Sequence, residues 1–419
     1  MRKITIIGAG QSGLHLGIGL LDAGYDVQIV SNRTAEQIAN GRVTSSQVML
    51  GTASAGEAVL GIDFWAKEAP PINGVAFKIS DGQGNAPVSW SSRLDLPGKS
   101  VDQRVKMPRW MQEFTSRGGE LVIQEATIAD LEEYARSSDL VIVAAGKGDI
   151  ARMFERDAAR SVFDKPQRWV SVAYLKGMRP REEYPALRFN IVPGAGEYFT
   201  APALTTSGPC DFIAIESILG GPWDVFNGVT NPHEHLERVK NIIRADLPWE
   251  VELCRDIELT DELGVLSGSF ASTVRKPIGV LPSGATVLGM ADVVVLNDPI
   301  TGQGSQNASK CASSYLASIL EQADRPFDAE FMNDTFERYW DIARYATKWT
   351  DALMLQPAPH VQEVLGAANV SRRLARRYVN AVNDPRDFFL WLMDPDSAQS
   401  YLKEIGPAGA HQMELEPAI

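Results

Sequence analysis

The feature that most constrains this chain lies within its first thirty residues. Ile4–Ile7 reads as a short buried strand, and Gly8-Ala9-Gly10-Gln11-Ser12-Gly13 follows it directly and opens a helix over about Leu14–Leu21. Glycines at this spacing have separate tasks. Gly8 permits the tight turn, Gly10 lets backbone approach a pyrophosphate, and Gly13 lets helix and strand pack closely. The helix start then offers unpaired N–H groups and partial positive charge to phosphates. Gly24 closes the helix and Asp26–Val30 is a second strand, so the chain opens as a βαβ unit of a parallel sheet. The reading is an α/β, Rossmann-type dinucleotide-binding domain, with Gly8, Gly10, Gln11, Ser12 and Gly13 at the cofactor.

Length and composition set the outer limits. A chain of 419 residues exceeds one ordinary core and suggests about two domains. A hydrophobic share of 44% with 22% charged residues is that of a globular enzyme rather than a disordered chain. The net charge of −13 argues against nucleic acid, which demands a surplus of Lys and Arg. The one basic cluster, Arg372, Arg373, Arg376 and Arg377, reads as a solvated helix face, with a docking patch as the alternative. Cys210, Cys254 and Cys311 are odd in number and far apart, hence reduced and structural. No apolar run approaches the length of about 18 residues that a membrane span needs. The basic, apolar start MRKITIIGAG breaks at once into glycines, unlike a signal peptide, and a cytoplasmic protein is expected.

Along the chain, residues 1–57, 101–165 and 276–325 read as one discontinuous cofactor domain. Residues 58–100 and 166–275 read as a sheet-based substrate domain, 326–405 as a helical region and 406–419 as a loose tail. Aromatics at helical spacing (Phe331, Phe336, Tyr339, Trp340, Tyr345, Trp349) read as core packed against the cofactor domain. His15 lies inside the first helix and reads as structural. His233 and His235 lack a third ligand, so no metal site is expected.

The acidic residue expected about 20 positions after the glycines is missing, since the second strand ends Val30-Ser31-Asn32-Arg33. Ser31 or Asn32 can bond a ribose hydroxyl, more weakly than a carboxylate, and Arg33 can lie against adenine or phosphate. Such a site suits a cofactor that exchanges. A second element selects the cofactor: Gly289-Met290-Ala291-Asp292, then Asp298-Pro299-Ile300-Thr301-Gly302-Gln303-Gly304, then Asn307-Ala308. This run resembles the late flavin motif of the aromatic hydroxylase flavoprotein superfamily. The resemblance implies FAD, with Asp292 at the ribityl chain. It places Pro299, Gly302, Gln303, Gly304 and Asn307 by the pyrimidine end of the flavin ring, where a helix start favours an anionic reduced ring. The superfamily's middle Asp-Gly pair stands here as Ala145-Gly146, and no second glycine fingerprint exists for a nicotinamide.

Over almost its whole length the chain resembles the oxygenase component of the two-component styrene and indole monooxygenases. The resemblance rests on residues 8–17 (GAGQSGLHLG), Val101-Asp102-Gln103-Arg104, Pro193-Gly194-Ala195-Gly196-Glu197 with Ala201-Pro202, the Asp298–Gly304 turn and Ala346-Thr347-Lys348-Trp349-Thr350. It implies that a separate NADH:flavin reductase delivers reduced FAD. Oxygen then adds at flavin C4a, and the resulting hydroperoxide passes one oxygen atom to an alkene; no side chain need act as acid or base. It also implies that Arg42, Ser46 and Arg104 lie by FAD. Styrene-type members carry Asn-x-Val-x-His after the second strand, and indole-type members Ser-x-Gln-x-Met. Here the stretch is Ser45-Ser46-Gln47-Val48-Met49, with Ile72 and Val75 where the styrene type has Tyr and His. The implied reaction is epoxidation of indole across C2–C3, leading to indoxyl and indigo. Gln47 or Ser45 would take the indole N–H, and Met49, Ile72 and Val75 would form an apolar wall. A styrene-type epoxidase, a flavin oxidoreductase with its own nicotinamide site and a FAD-fold protein turned binding module are the rival readings.

Overall fold

The computed structural model describes residues 2–145, 148–181 and 183–406. Gly146 of the middle motif and the tail from 407 lie outside them. The opening strand, Lys3–Ile7, is apolar and almost wholly buried, as a strand covered on both faces must be. It pairs in parallel with Asp26–Ser31 on one side and Leu140–Val143 on the other. Glu120–Ile123 and Thr286–Gly289 extend the parallel sheet outward, and an antiparallel strand, Ile278–Val280, forms one edge. In chain order the five parallel strands lie third, second, first, fourth, fifth. Strand order therefore reverses between Lys3–Ile7 and Leu140–Val143, the crevice where this topology binds ligands. The helix expected from about Leu14 begins at Gln11 and runs to Asp22. It packs against Gly304–Gln322, where a Cβ on Gly19 would come within 2.5 Å of Leu316.

The second sheet has nine strands, antiparallel except where Pro71–Ile79 meets Ala186–Val192. It draws mainly on the two segments read as the substrate domain. Its edge strand, Val48–Met49, comes from the segment read as cofactor domain. Side chains alternate across the sheet. Val172 and Tyr174 join a core shared with the C-terminal helices, whereas Ala173 and Leu175 pack under the helix Pro232–Asp246.

The C-terminal region is helical, led by Ala329–Leu353. Its aromatic stripe divides between two cores. Phe331, Phe336, Tyr339 and Trp340 pack against the parallel-sheet domain, while Trp349 joins the core of the second sheet. The basic cluster is largely neutralised: Arg373 pairs with Glu404, Arg376 with Asp95 and Arg377 with Asp387. The three cysteines are buried and free. His235 is buried and shares a hydrogen bond with Ser171 at 2.7 Å. No group of three or more His, Cys, Asp or Glu among the described residues is placed to hold a metal ion. No helix among them is long and apolar enough to cross a membrane.

Candidate functional site

At the strand reversal the glycines divide their work. Gly8 has φ +122°, and a Cβ there would lie 3.0 Å from the backbone of Ala144 and Ala145, the loop after the neighbouring strand. A Cβ on Gly13 would sit 2.0 Å from the Gly8 carbonyl oxygen, so that glycine is fixed by packing. Gly10 differs: it is the N-cap of Gln11–Asp22, its backbone is extended, and a Cβ on it would meet nothing within 4 Å. Its absence of side chain serves no contact inside the protein. Ser12 is buried in the first turn.

Gln11 is anchored by an unusual pair of charges. Its Nε2 donates to Glu57 Oε1 at 2.8 Å, and Glu57 is paired with Lys106, both side chains being almost fully buried. The Lys106 ammonium also lies 4.5 Å from the Trp110 ring centre. Burial lowers its pKa while Glu57 raises it. His15, beside Trp110 and Ser309, is held neutral, its pKa pushed down to about 4 by burial and then by Lys106. Sequence reading singled out neither Glu57 nor Lys106. The available signal was a lone acid in the small, apolar helix Gly51–Val59.

Beyond the second strand, Ser31 is occupied locally, donating to the Arg33 carbonyl at 2.8 Å. Asn32 is exposed and Arg33 half-buried. Two arginines expected near the FAD phosphates are engaged elsewhere. Arg42 donates to the Val265 carbonyl at 3.1 Å. Arg104 is buried, with Nε on Asp102, Nη1 and Nη2 on Asp261, and Nη2 also on Thr205. Its guanidinium thus clamps three chain segments together.

The late glycine-rich run packs on the helices Gly304–Gln322 and Ala329–Leu353. Asp292 sits in the short turn Ala291–Val293, entered through a non-glycine residue, Ala291, at φ +51°. Its side chain is exposed, yet its pKa is raised to about 6 by desolvation, against the pull of Arg275. Asp298 Oδ1 accepts the Ile300 N–H at 3.1 Å and caps the turn Pro299–Thr301, and Gly302 follows at φ +64°. Gly304 then starts a helix of 19 residues. Around the two glycine-rich elements, buried polar atoms stand without a hydrogen-bond partner among the described residues: Gln11 Oε1, Gln303 Oε1, Gln306 Oε1 and Asn307 Nδ2. Buried polar groups are ordinarily satisfied, so these four are free to bond a polar ligand. Gln306 was not anticipated from the sequence.

The loop carrying Ser45, Ser46, Gln47 and Met49 docks on this helix start, where Ser305 Oγ donates to the Val48 carbonyl at 2.7 Å. Tyr174, fully buried, fixes the loop's other end by donating to the Ser45 carbonyl at 2.9 Å, and the Ser46 carbonyl accepts from Ser100. Gln47 is buried at φ +49°, a strained backbone for a side chain larger than glycine. Its Nε2 donates to Ser45 Oγ at 3.0 Å, while its Oε1 has no partner among the described residues. Met49, Ile72 and Val75 are buried, the last two completely. Ile72 and Val75 share one apolar cluster with Ile300 of the glycine-rich turn and with Trp349. A separate cleft of about 390 Å³, lined in part by Lys78, Arg181, Arg188 and Glu250, contains none of these residues.

Known proteins resemble the chain in both sequence and fold. Residues 146–252 match a family described as "Styrene monooxygenase A putative substrate binding domain". Styrene monooxygenase StyA of Pseudomonas fluorescens is 27% identical over 418 residues, spanning 97% of this chain and 99% of that protein. A second styrene monooxygenase StyA, from a Pseudomonas species, is 26% identical over the same shares. Among solved structures, a variant of the flavin-dependent brominase Bmp2 superposes with a TM-score of 0.64 at 14% identity, covering 96% of this chain and 98% of that one. A flavoprotein/dehydrogenase from Cytophaga hutchinsonii reaches 0.65 at 13% identity, covering 97% and 99%. The two structural matches agree on the architecture, and the sequence matches span almost the whole chain: over 97% of its length the chain is similar to the styrene monooxygenases StyA.

Proposed function

We propose that this flavin-dependent monooxygenase epoxidises indole across C2–C3, using reduced FAD supplied by a separate NADH:flavin reductase and O2. The observation that carries the reading is the state of Gln47. Its amide nitrogen is taken by Ser45, and its buried oxygen is left as an acceptor without a partner among the described residues. A flat bicycle with one N–H donor matches that arrangement, since a buried acceptor without a donor is costly.

The residues present fit FAD. Gly8–Gly13 would take the pyrophosphate at a helix start, Ser31, Asn32 and Arg33 the adenosine end, and Asp292 the ribityl hydroxyls. Pro299, Gly302, Gln303, Gly304 and Asn307 would border the ring. Bound reduced flavin would supply the electrons that activate O2, the source of the oxygen atom transferred. The protein's share is placement and exclusion. The N-terminus of Gly304–Gln322 offers partial positive charge that favours an anionic ring. Ile300, Trp349, Ile72 and Val75 keep the neighbourhood apolar and dry. Gln47 and Ser45 would orient the indole nitrogen. A cytoplasmic setting, where NADH feeds the reductase, suits this arrangement.

The full-length relatives are styrene monooxygenases, which favours a vinyl aromatic as the second reading. The test is incubation with indole, NADH and O2, with and without an added flavin reductase. Indigo only when the reductase is present is the expected result. Rapid anaerobic bleaching of bound FAD by NADH alone would overturn the two-component reading.

A further inference from the structure

Under the flavin-side turn, three buried carboxyls converge on one cation. Glu197 and Glu216 are directly opposite across the antiparallel strands Gly196–Thr205 and Gly208–Ile218, and they are 8% and 1% exposed. Arg168, on the far side of the Glu216 strand, holds Glu197 with two hydrogen bonds of 2.9 and 3.2 Å. Asp298 enters from the turn and is 2% exposed. Its N–H donates to Ser272 Oγ at 2.9 Å, and its carboxyl meets that of Glu216. The second oxygen of Glu216, Oε2, is buried with no partner among the described residues.

Like charges directly opposite on a sheet repel, and a buried carboxylate without its own cation is very costly. With Arg168 committed to Glu197, ionising both Glu216 and Asp298 would leave two negative charges in contact. Carboxyls in that position share a proton. We propose that Glu216 is a positioning residue for the flavin-side turn: it keeps its proton at neutral pH and donates it in a hydrogen bond to Asp298, so that Asp298 stays fixed as the cap of Pro299–Thr301. Through that cap, Glu216 sets where Gly302, Gln303 and the start of the following helix stand.

The groups facing the pair support this assignment. Burial raises Glu216 well above the usual carboxyl range, Asp298 and Glu197 push the same way, and Arg168 opposes them. From the long C-terminal helix, Asp351 also faces Asp298; burial, and then Asp298, raise it to about 6, so it is ionised in mildly alkaline buffer. The inference rests on the reading of Pro299–Gly304 as the flavin-side turn, but its first test does not.

Infrared spectra of the protein without FAD, at about pH 8, read the proton directly. Wild type should show the C=O stretch of a protonated carboxyl. The band should vanish in Glu216→Gln and persist in Asp351→Asn. Titrations with FAD then separate positioning from bulk. Glu216→Gln, whose amide can still donate, should bind FAD within about threefold of wild type, whereas Glu216→Leu should bind about ten- to a hundredfold more weakly. A wild-type spectrum without the band, a band that survives Glu216→Gln, or a Gln variant as weak as the Leu variant would overturn the proposal. Wild type that fails to bind FAD would instead count against the functional reading, with the infrared result unaffected.

Discussion

Ser45 Oγ accepts both the backbone N–H of Gln47, at 3.1 Å, and its side-chain amide N–H, at 3.0 Å. The pair locks the Gln47 amide in one orientation and leaves Oε1 as the free acceptor. Losing the bond that this oxygen offers a substrate N–H should cost about 1–3 kcal/mol, roughly 5- to 150-fold in kcat/KM for indole. A substrate without an N–H should be little affected. Because Gln47 has φ +49°, a β-branched replacement would add backbone strain, and Gln47→Met with Ser45→Asn is the cleaner pair of changes. The ratio of indole to styrene turnover should fall in that variant. An unchanged ratio would remove Gln47 from substrate recognition.

The glycines of the first turn should separate ligand binding from folding. A side chain at Gly10 meets no protein atom within 4 Å, so Gly10→Val should melt near the wild-type temperature yet lose FAD. Gly13→Ala would set a methyl 2.0 Å from the Gly8 oxygen and should destabilise the protein itself, by about 1–3 kcal/mol. Thermal melts with parallel FAD titrations check both. A Gly10→Val protein that retains FAD would show that the pyrophosphate lies elsewhere.

The buried Glu57–Lys106 pair should be far costlier to break than to replace. Lys106→Met leaves a buried carboxylate unpaired and should destabilise by about 3–5 kcal/mol, while Glu57→Leu with Lys106→Met should recover most of that loss. Denaturant unfolding of the three proteins decides the matter. A double variant as unstable as the single one would mean that the pair acts through more than charge compensation.

Asp292 predicts a pH dependence of cofactor binding. Its pKa in the folded protein is about 6, above the ordinary 3.8, so the carboxylate that would accept ribityl hydroxyls is lost as pH falls through about 6. FAD should bind more weakly at pH 5 than at pH 7, and Asp292→Asn should flatten the profile. The sign for folding is opposite. Between about pH 4 and 6 the folded state holds the extra proton, so this group's contribution to the stability of the protein without FAD falls as pH rises. Calorimetric titrations across this range test the binding arm, and a wild-type profile identical to that of Asp292→Asn would contradict it.

What the sequence made legible was local. Gly8 to Gly13 between an apolar strand and a helix, and Gly302 to Gly304 before another, announce themselves because tight turns and helix starts are written in adjacent residues. Ile4–Ile7 and Asp26–Val30 read as strands for the same reason. The long-range partners were hidden. Arg104 looked like a phosphate ligand because nothing nearby shows that Asp261, 157 residues on, takes its guanidinium. Glu57 meets Lys106 across 49 residues of chain, and the union of Glu216 with Asp298 depends on the second sheet closing against the first domain. No periodicity encodes that closure. Val48–Met49 pairs with Val88–Ser100 of the second sheet, and a two-residue edge strand carries too little pattern to reveal such a partner.

The central claim is that the buried Gln47 acceptor selects an aromatic alkene carrying an N–H. Its most direct measurement is a competition between indole and styrene at equal concentration, with NADH, O2 and excess flavin reductase, following indigo precursors and styrene oxide together. The account predicts that indole is consumed first, by a margin of about fivefold or more in kcat/KM. Preferential consumption of styrene would contradict it.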